Sequence, residues 1–313
     1  MDRIDALLAD GRQRALALEV EVGKAVIGQS RVIRLINTAV FARGHVLLQG
    51  DVGVGKTTLL RAFAQVLGGD FARTEGTIDL MPNDLIYYTY ISADGRPAVE
   101  HGPLIKHGED LAIFFFNEIN RARPQVHSLL LRVMAERSVS AFNREFRFPH
   151  LLVFADRNRV EREETFEISS AARDRFMMEI TIDAPATDAD RRRLIFDPRF
   201  HDTDRLVGSV QAAMVAYREL NELAATIQAT VQASETLETY AMHLWRATAV
   251  PGEYGIHISD IDIDQLMLAG ASPRGMSMLL RASRVAAWLE GRSYVTPEDV
   301  QAVFVETIAH RLC

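Results

Sequence analysis

The fold of this chain is indicated by a run of eight residues, Gly50-Asp51-Val52-Gly53-Val54-Gly55-Lys56-Thr57. The run follows the apolar segment His45–Leu48 and precedes a helix-like segment from Lys56 to about Val66. It matches G-x-x-x-x-G-K-[ST] in the strand–loop–helix context that this motif requires. A glycine-rich turn without a ligand is the alternative, and the context disfavours it. The sequence therefore predicts a phosphate-binding loop.

The residue types in this loop match the chemistry of a nucleoside triphosphate. Glycines let successive backbone N–H groups face phosphate oxygens, and the start of a helix adds its positive end. We expect Lys56 to reach the β- and γ-phosphates and the Thr57 hydroxyl to ligate Mg²⁺. Thr58 adjoins them, and the chain contains only two other lysines, Lys24 and Lys106. ATP and Mg²⁺ are the predicted ligands.

The rest of the chain predicts an α/β fold with a second, helical part. Leu111–Phe116, Leu151–Ala155 and Phe176–Ile182 are continuous apolar runs, as in strands of a parallel sheet covered by helices on both faces. Residues 74–103 are rich in Tyr, Thr and Ile and predict a β-hairpin insertion. Beyond Pro185 the pattern is helical, so we predict an α/β nucleotide-binding domain over 1–185 and an all-helical domain over 186–313.

Two polar residues follow the apolar run Leu111–Phe116. In a phosphate-loop ATPase, a buried strand ends in two acidic residues, one facing Mg²⁺ through its water shell and one polarising the attacking water. Here these positions hold Asn117 and Glu118. Glu118 is the candidate general base. Asn117 is the candidate metal-facing residue, but it lacks the negative charge of an acidic side chain. Read without the phosphate-binding loop, the pair is equally well explained as loop residues after a strand.

Composition excludes several classes of protein. No apolar run approaches the roughly 20 residues of a membrane span, and the first 24 residues lack a secretory h-region. Cys313 is the single cysteine, which excludes a disulfide framework and favours a reducing, cytoplasmic compartment. The net charge of −7 argues against a nucleic-acid footprint over the whole surface.

From about Val26 to Leu312 the chain resembles the MoxR family of AAA+ ATPases. The resemblance rests on several segments in this order, of which the Glu-Ile-Asn-Arg-Ala stretch and the Gly-Ala-Ser-Pro-Arg box are the most specific. The segments are Val26–Gln29, His45–Thr57, Asp79–Asp84, Asn117–Gln125, Asp174–Phe176, Gly270–Arg274, Tyr294–Val300 and His310–Leu312.

The resemblance implies roles that the residues alone do not. Asn158 is expected as sensor 1, bonded to the attacking water or the γ-phosphate. Arg274 is expected as sensor 2, reaching from the lid domain to the same phosphate. Arg175, with Arg173 as a nearby alternative, is expected as an arginine finger in a neighbouring subunit's site. Ile27 is expected to lie near the adenine.

The resemblance also implies an assembly and a role. It implies a homo-oligomer, as a hexameric ring whose 74–103 hairpin faces the central pore. It further implies an adaptor with a von Willebrand factor A domain and a client metalloenzyme, such as methanol dehydrogenase, that is matured or loaded with metal. Neither a membrane span nor nucleic-acid binding is expected.

The departure at Asn117 leaves alternatives open. The family pattern has Asp there, and a full charge against a divalent ion at close range is worth several kcal/mol before screening. Magnesium affinity and turnover are therefore expected to suffer, and Asn117→Asp is expected to raise ATPase activity. One alternative is a nucleotide-dependent assembly module with weak hydrolysis. A nucleic-acid motor is the less favoured alternative.

Overall fold

The structure of the chain is a computed structural model. It describes residues 3–158, 166–257, 259, 267 and 269–312. The α/β architecture predicted from the apolar runs is confirmed: a parallel sheet lies between helices, and a helical region follows it.

Nine strands lie in the described part of the chain, five of them in the central sheet. The strands are β1 Val46–Gln49, β2 Asp70–Glu75, β3 Tyr87–Ile91, β4 Pro97–His101, β5 Leu111–Asn117, β6 Ser138–Ala141, β7 Arg144–Arg147, β8 Leu152–Arg157 and β9 Met178–Thr181. The sheet has the order β2-β5-β8-β1-β9, with all neighbours parallel. The predicted strands correspond to β1, β5, β8 and β9.

Helices cover both faces of this sheet and form the C-terminal region. Within the described residues they are α1 Arg3–Ala25, α2 Ser30–Phe41, α3 Lys56–Leu67, α4 Pro124–Glu136, α5 Ser170–Arg173, α6 Asp188–Phe196, α7 Thr203–Gly208, α8 Leu220–Thr230, α9 Glu235–Ala249, α10 Pro273–Leu289 and α11 Pro297–Ile308. The prediction that the chain is helical beyond Pro185 also covers 260–266, which lie outside the described residues. No helix in the described part of the chain is long and apolar enough to cross a bilayer.

The alternation of side chains along β5 explains the two layers of helices. Ile113 and Phe115 belong to one apolar cluster, which includes residues of α1, α2, α3 and the C-terminal helices. Phe114 and Phe116 belong to the other, which includes residues of α4. Because successive side chains point to opposite faces of a strand, a continuous apolar run is needed to fill both layers.

The C-terminal helices pack against the N-terminal ones. The rings of Phe41 and Trp288 are in tilted contact, with centroids 5.3 Å apart, and the Trp288 indole donates to the backbone oxygen of Leu8 at 3.1 Å. Gly11 of α1 lies so close to Leu223 of α8 that a Cβ there would be 2.6 Å from the leucine side chain. One apolar cluster thus crosses the predicted boundary at 185, and the division into two domains stays a prediction.

Two hairpins lie outside the central sheet. The first, β3–β4, is the insertion expected within 74–103, and its turn is closed by Ser92 and Arg96. The second, β6–β7, was not predicted from the sequence. Its two-residue turn places both Phe142 and Asn143 in the left-handed region, and phenylalanine is not a residue that signals such a turn.

His45 holds the start of β1 against its neighbours. Its Nδ1 accepts a hydrogen bond from the Val153 N–H at 2.9 Å, and its Nε2 lies 3.2 Å from the Met134 carbonyl oxygen. These partners require a neutral ring with the proton on Nε2. Burial, with the nearby Arg137 cation, lowers the pKa of His45 to about 3.

This lowered pKa predicts a loss of stability in mild acid. The unfolded chain takes up a proton on this ring below its ordinary pKa of about 6.5, whereas the folded chain does not until about pH 3. His45 should therefore contribute a loss of about 2 kcal/mol in unfolding free energy between about pH 7.5 and about pH 5.

Urea unfolding at the two pH values measures the effect. His45→Gln should lose about 2 kcal/mol less than the wild type over this interval, even if it is less stable at both pH values. An equal loss in both proteins would show that His45 is not the group responsible.

Candidate functional site

The loop between β1 and α3 has the backbone that a phosphate cradle needs. Gly53 and Gly55 have φ of 83° and 88°, in the left-handed region that favours glycine, and a Cβ on either would meet nothing within 4 Å. Gly50 is required for another reason, because a Cβ there would lie 2.4 Å from the Ile182 carbonyl oxygen. The loop is thus shaped by backbone constraints, with open space beside it.

Lys56 begins α3 and folds back across this loop. Its side chain is 9% exposed. Its Nζ donates to the Gly50 carbonyl at 2.7 Å and to Asn158 Oδ1 at 3.0 Å. The same Nζ forms an ion pair with Asp156 Oδ2 at 3.1 Å. The structure therefore brings Lys56 and Asn158 together, as expected, and adds Asp156. Thr57 and Thr58 follow Lys56 and are half-buried.

Glu118 stands beside this group at the end of β5. Its backbone is left-handed, with φ of 53°, and its N–H donates to Asp156 Oδ1 at 2.5 Å. Its carboxylate accepts a long hydrogen bond of 3.4 Å from the Asn158 amide and pairs with Arg121 at 3.1 Å. The candidate base thus faces Asn158 and has a cation that holds its other oxygen.

Asn117 precedes Glu118 and is almost buried, at 8% exposed. Its Nδ2 donates to Glu75 Oε1 at 2.6 Å, across the β2–β5 pairing that sets the two residues side by side. Glu75 was not among the residues selected from the sequence. The Asn117 side-chain amide is therefore hydrogen-bonded to a carboxylate of the neighbouring strand.

The residues at this edge carry the oxygen ligands that magnesium prefers. Thr57 offers a hydroxyl, Asn117 an amide oxygen and Asp156 a carboxylate, and Mg²⁺ commonly keeps several waters beside one or two protein carboxylates. Burial raises the pKa of Asp156, against the opposing effects of the Glu118 N–H and Lys56. This donor set fits a hydrated magnesium ion bound with phosphate. No cluster of His, Cys, Asp and Glu typical of an all-protein metal site occurs in the described ranges.

Ile27 lies in the short segment between α1 and α2, as a buried residue. It lines a cavity together with Val26, Gly28 and Gln29, and Gln29 Nε2 is tied to the Asp183 carbonyl at 2.6 Å. The cavity fits the expectation of an adenine pocket, which stays a prediction.

Arg175 and Arg274 lie at the opposite edge of the sheet. Arg175 comes just before β9, at the amino end of the parallel strands, and lines one cavity with Arg274, Gly44 and His45. Gly50, by contrast, follows the carboxyl end of β1, a strand of about 13 Å at 3.3 Å per residue. The structure thus brings Arg274 to Arg175 and not to the Lys56 of its own chain. Within one chain Arg274 therefore does not lie beside Asn158, and its expected role as sensor 2 stays a prediction.

Asp174 holds Arg274 at the amino edge of the sheet. Its carboxylate accepts from Arg274 at 2.7 Å, from the Ser272 hydroxyl at 2.5 Å and from Arg311 at 3.1 Å. Ser272 also caps α10, with its Oγ accepting from the Gly275 N–H at 2.9 Å. One carboxylate therefore fixes both the start of α10 and the end of the chain to the strand-edge loop that carries Arg175.

The cavity at this edge is strongly cationic. It is lined by Arg43, Gly44, His45, Met134, Ala135, Arg137, Arg175, Arg274, Met278 and Arg281. Arg43 is 6% exposed, and none of its guanidinium nitrogens has a hydrogen-bond partner within the described structure. Burial and the neighbouring Arg137 and Arg281 lower the pKa of Arg43 to about 9. A site of this kind favours an anion, because these lining residues include no carboxylate.

Arg173, the alternative finger, ends the short helix α5. Its Nε is buried and donates no hydrogen bond in the ranges described. It does not line the arginine cavity, so the geometry favours Arg175 over Arg173 for contact with an outside group.

Two protein-family models match this chain and agree with its architecture. Residues 45–178 match the model of the ATPase family associated with various cellular activities (AAA), and residues 262–313 match the AAA lid domain. A crystal structure of a candidate ATPase from Cytophaga hutchinsonii is similar, with a TM-score of 0.82 at 30% identity, covering 98% of this chain and 89% of that one.

Curated relatives match nearly the whole chain. Protein MoxR of Methylorubrum extorquens is 60% identical over 98% of this chain and 90% of its own length. Protein MoxR of Paracoccus denitrificans is 55% identical over 99% and 91%. Chaperone MoxR1 of Mycobacterium tuberculosis is 34% identical over 93% and 74%. With the phosphate-binding loop, the sheet order and the lid region, these similarities show that the chain belongs to the MoxR family of AAA+ ATPases.

Proposed function

We propose that this protein hydrolyses ATP at the Gly50–Thr57 loop as a homo-oligomer and uses the cycle to remodel a partner protein. The observation that carries the proposal is the convergence of Lys56, Asn158 and Glu118 at the carboxyl edge of the sheet. A cation, an amide and a carboxylate at one phosphate-binding loop are the groups that phosphoryl transfer to water requires.

Each of these groups has a distinct task. Lys56 exchanges its carbonyl and carboxylate partners for the β- and γ-phosphate oxygens of ATP. Glu118 accepts a proton from the attacking water. Asn158 orients that water, since it contacts the Glu118 carboxylate oxygen that is not paired with Arg121. Magnesium, held with Thr57 and Asn117, would neutralise the charge that develops on the phosphates.

The arginine cavity supports assembly into a ring. Arg175 and Arg274 lie at the amino edge of the sheet, away from their own loop, so they can act on a nucleotide only in another copy. The unpartnered Arg43 behind them adds positive potential to the same cavity. We assign Arg175 as the finger and place Arg274 at the same interface, in a ring of six copies.

One observation favours the second candidate, an assembly module that binds ATP and barely turns it over. Asn117 lacks the charge of the family's metal-facing residue. A single-turnover measurement separates the two, because the module should retain ATP bound for many minutes whereas the ATPase should release phosphate promptly. The third candidate is a nucleic-acid motor, and the net charge of −7 argues against it.

For the biological role we propose a cytoplasmic chaperone that acts through a von Willebrand factor A adaptor on a client metalloenzyme, such as methanol dehydrogenase. Two relatives carry the name MoxR and another is a named chaperone. The β3–β4 hairpin presents Tyr88 and Tyr90, about half exposed, with Ile91 beside them. These side chains are suited to contact a client at the pore.

Nucleotide binding is expected to depend on Lys56. Lys56→Ala should lose most affinity for ATP, because the loop keeps its backbone donors but loses the cation that meets the phosphates. Calorimetric titration with ATP and Mg²⁺ measures this. Lys106→Ala removes the same charge from an exposed position and should bind like the wild type. Unchanged affinity in Lys56→Ala would refute the site.

Hydrolysis is expected to require Arg175 of a neighbouring copy. Arg175→Ala should lower steady-state turnover by roughly 10³-fold while ATP binding is kept, and the exposed Arg192→Ala should leave both unchanged. Mixing Arg175→Ala with Lys56→Ala subunits should restore activity, since some interfaces then pair an intact loop with an intact finger. Failure to restore activity at every mixing ratio would show that Arg175 is structural.

The cellular role predicts a specific defect. Deleting the gene should leave the client enzyme synthesised but poorly active and short of its metal, which metal analysis of the purified client measures. A fully metallated, active client together with failed DNA replication or repair would favour the motor instead.

A further inference from the structure

The buried carboxylate of Asp156 lies on β8, the strand next to β5, where Asn117 stands in place of the family's aspartate. The pairing of β5 with β8 sets Phe116 opposite Ala155, so the next residues, Asn117 and Asp156, are neighbours at the carboxyl edge of the sheet. Adjacent strands are about 4.8 Å apart. Asp156 therefore stands within one strand spacing of the position where the family carries its metal-facing aspartate.

The buried Asp156 carboxylate depends on a neighbouring cation to balance its negative charge. It is 1% exposed. One oxygen accepts from the Glu118 N–H and the other pairs with Lys56 at 3.1 Å. When Lys56 turns to the phosphates of ATP, that second oxygen loses its compensating charge. A buried carboxylate without a partner is costly, so a replacement cation is favoured at the moment when Mg²⁺ arrives with the nucleotide.

Asn117 complements this arrangement. Its amide donates to Glu75 at 2.6 Å, so it separates Glu75 from Asp156 with an uncharged group. An aspartate at 117 would place a third carboxylate between them and lose the donor to Glu75. Like charges at this distance raise the pKa of one partner and oppose full ionisation. The asparagine is thus suited to a site whose charge lies on the next strand.

We propose that Asp156 supplies the magnesium-facing negative charge that Asn117 lacks, through the water shell of the metal. The charged residue of the site is then on β8 and not on β5. The inference rests on the proposed ATP site at Gly50–Thr57. It reverses the expectation drawn from the sequence: Asn117→Asp in the wild-type background does not raise ATPase activity, because the charge is already present.

Metal binding gives a test that does not depend on turnover. Mn²⁺ bound to the protein–ADP complex is measured by electron paramagnetic resonance for the wild type, Asp156→Asn, Asn117→Asp and the exchange variant Asn117→Asp/Asp156→Asn. Asp156→Asn should lower Mn²⁺ affinity by about 10–100-fold, the usual effect of losing an outer-shell partner. The exchange variant should recover most of this loss, and Asn117→Asp alone should show no gain.

A purely structural Asp156 is distinguished by nucleotide affinity with the metal removed. Under the proposal, Asp156→Asn binds ADP in excess EDTA as well as the wild type or better, because Lys56 is no longer held back. A residue that only shapes the loop would lose affinity equally with and without metal. Glu75→Gln is the matched control, since it removes one carboxylate from the same edge and keeps an acceptor for Asn117, and its Mn²⁺ affinity should change little.

The inference would be overturned by unchanged Mn²⁺ affinity in Asp156→Asn, by no recovery in the exchange variant, or by a loss in Glu75→Gln as large as that in Asp156→Asn. A strong gain of Mn²⁺ affinity in Asn117→Asp alone would do so as well. A wild-type protein that binds neither ADP nor ATP in either buffer would instead contradict the proposed function itself.

Discussion

The buried ammonium of Lys56 is the interaction on which the nucleotide site depends. It is nearly excluded from water and must be compensated, which it achieves through the Gly50 carbonyl, the Asn158 amide oxygen and the Asp156 carboxylate. These three partners come from the loop after β1, from β8 and from the residue that follows β8, so the cation joins two neighbouring strands at their carboxyl ends. In the proposed function, phosphate competes for this cation, and Asp156 and Asn158 then lose it as a partner.

The parallel direction of the sheet divides the chemistry between its two edges. Lys56, Glu118 and Asn158 stand at the carboxyl edge, whereas Arg175 and Arg274 stand at the amino edge. In the proposed reaction, the carboxyl edge supplies the groups for phosphoryl transfer and the amino edge supplies the arginine that accelerates it. A ring in which each amino edge meets the next carboxyl edge would join the two halves, and it would couple each nucleotide to the docking of a neighbouring lid through Asp174.

Local patterns predicted much of this structure, and long-range contacts account for what they missed. The strand–loop–helix around Lys56 and the fully buried strand β5 were predicted because their signals are contiguous in the sequence. The placement of Arg274 beside Arg175 was not predicted, because it depends on a contact with Asp174, which lies 100 residues away. Asp156 and Glu75 were missed since only the strand order and register set them on either side of Asn117. An aspartate directly after the apolar run Leu151–Ala155, two residues before Asn158, was the available signal.

The central claim is that the nucleotide draws Lys56 away from Asp156 and that the metal takes its place. The most direct measurement is an experimental structure of the assembled protein with Mg²⁺ and a non-hydrolysable ATP analogue. The account predicts Lys56 on the phosphates, Asp156 hydrogen-bonded to water on the magnesium ion, and Asn117 still bonded to Glu75. A structure in which Lys56 remains paired with Asp156, with the magnesium shell held by Asn117 alone, would contradict it.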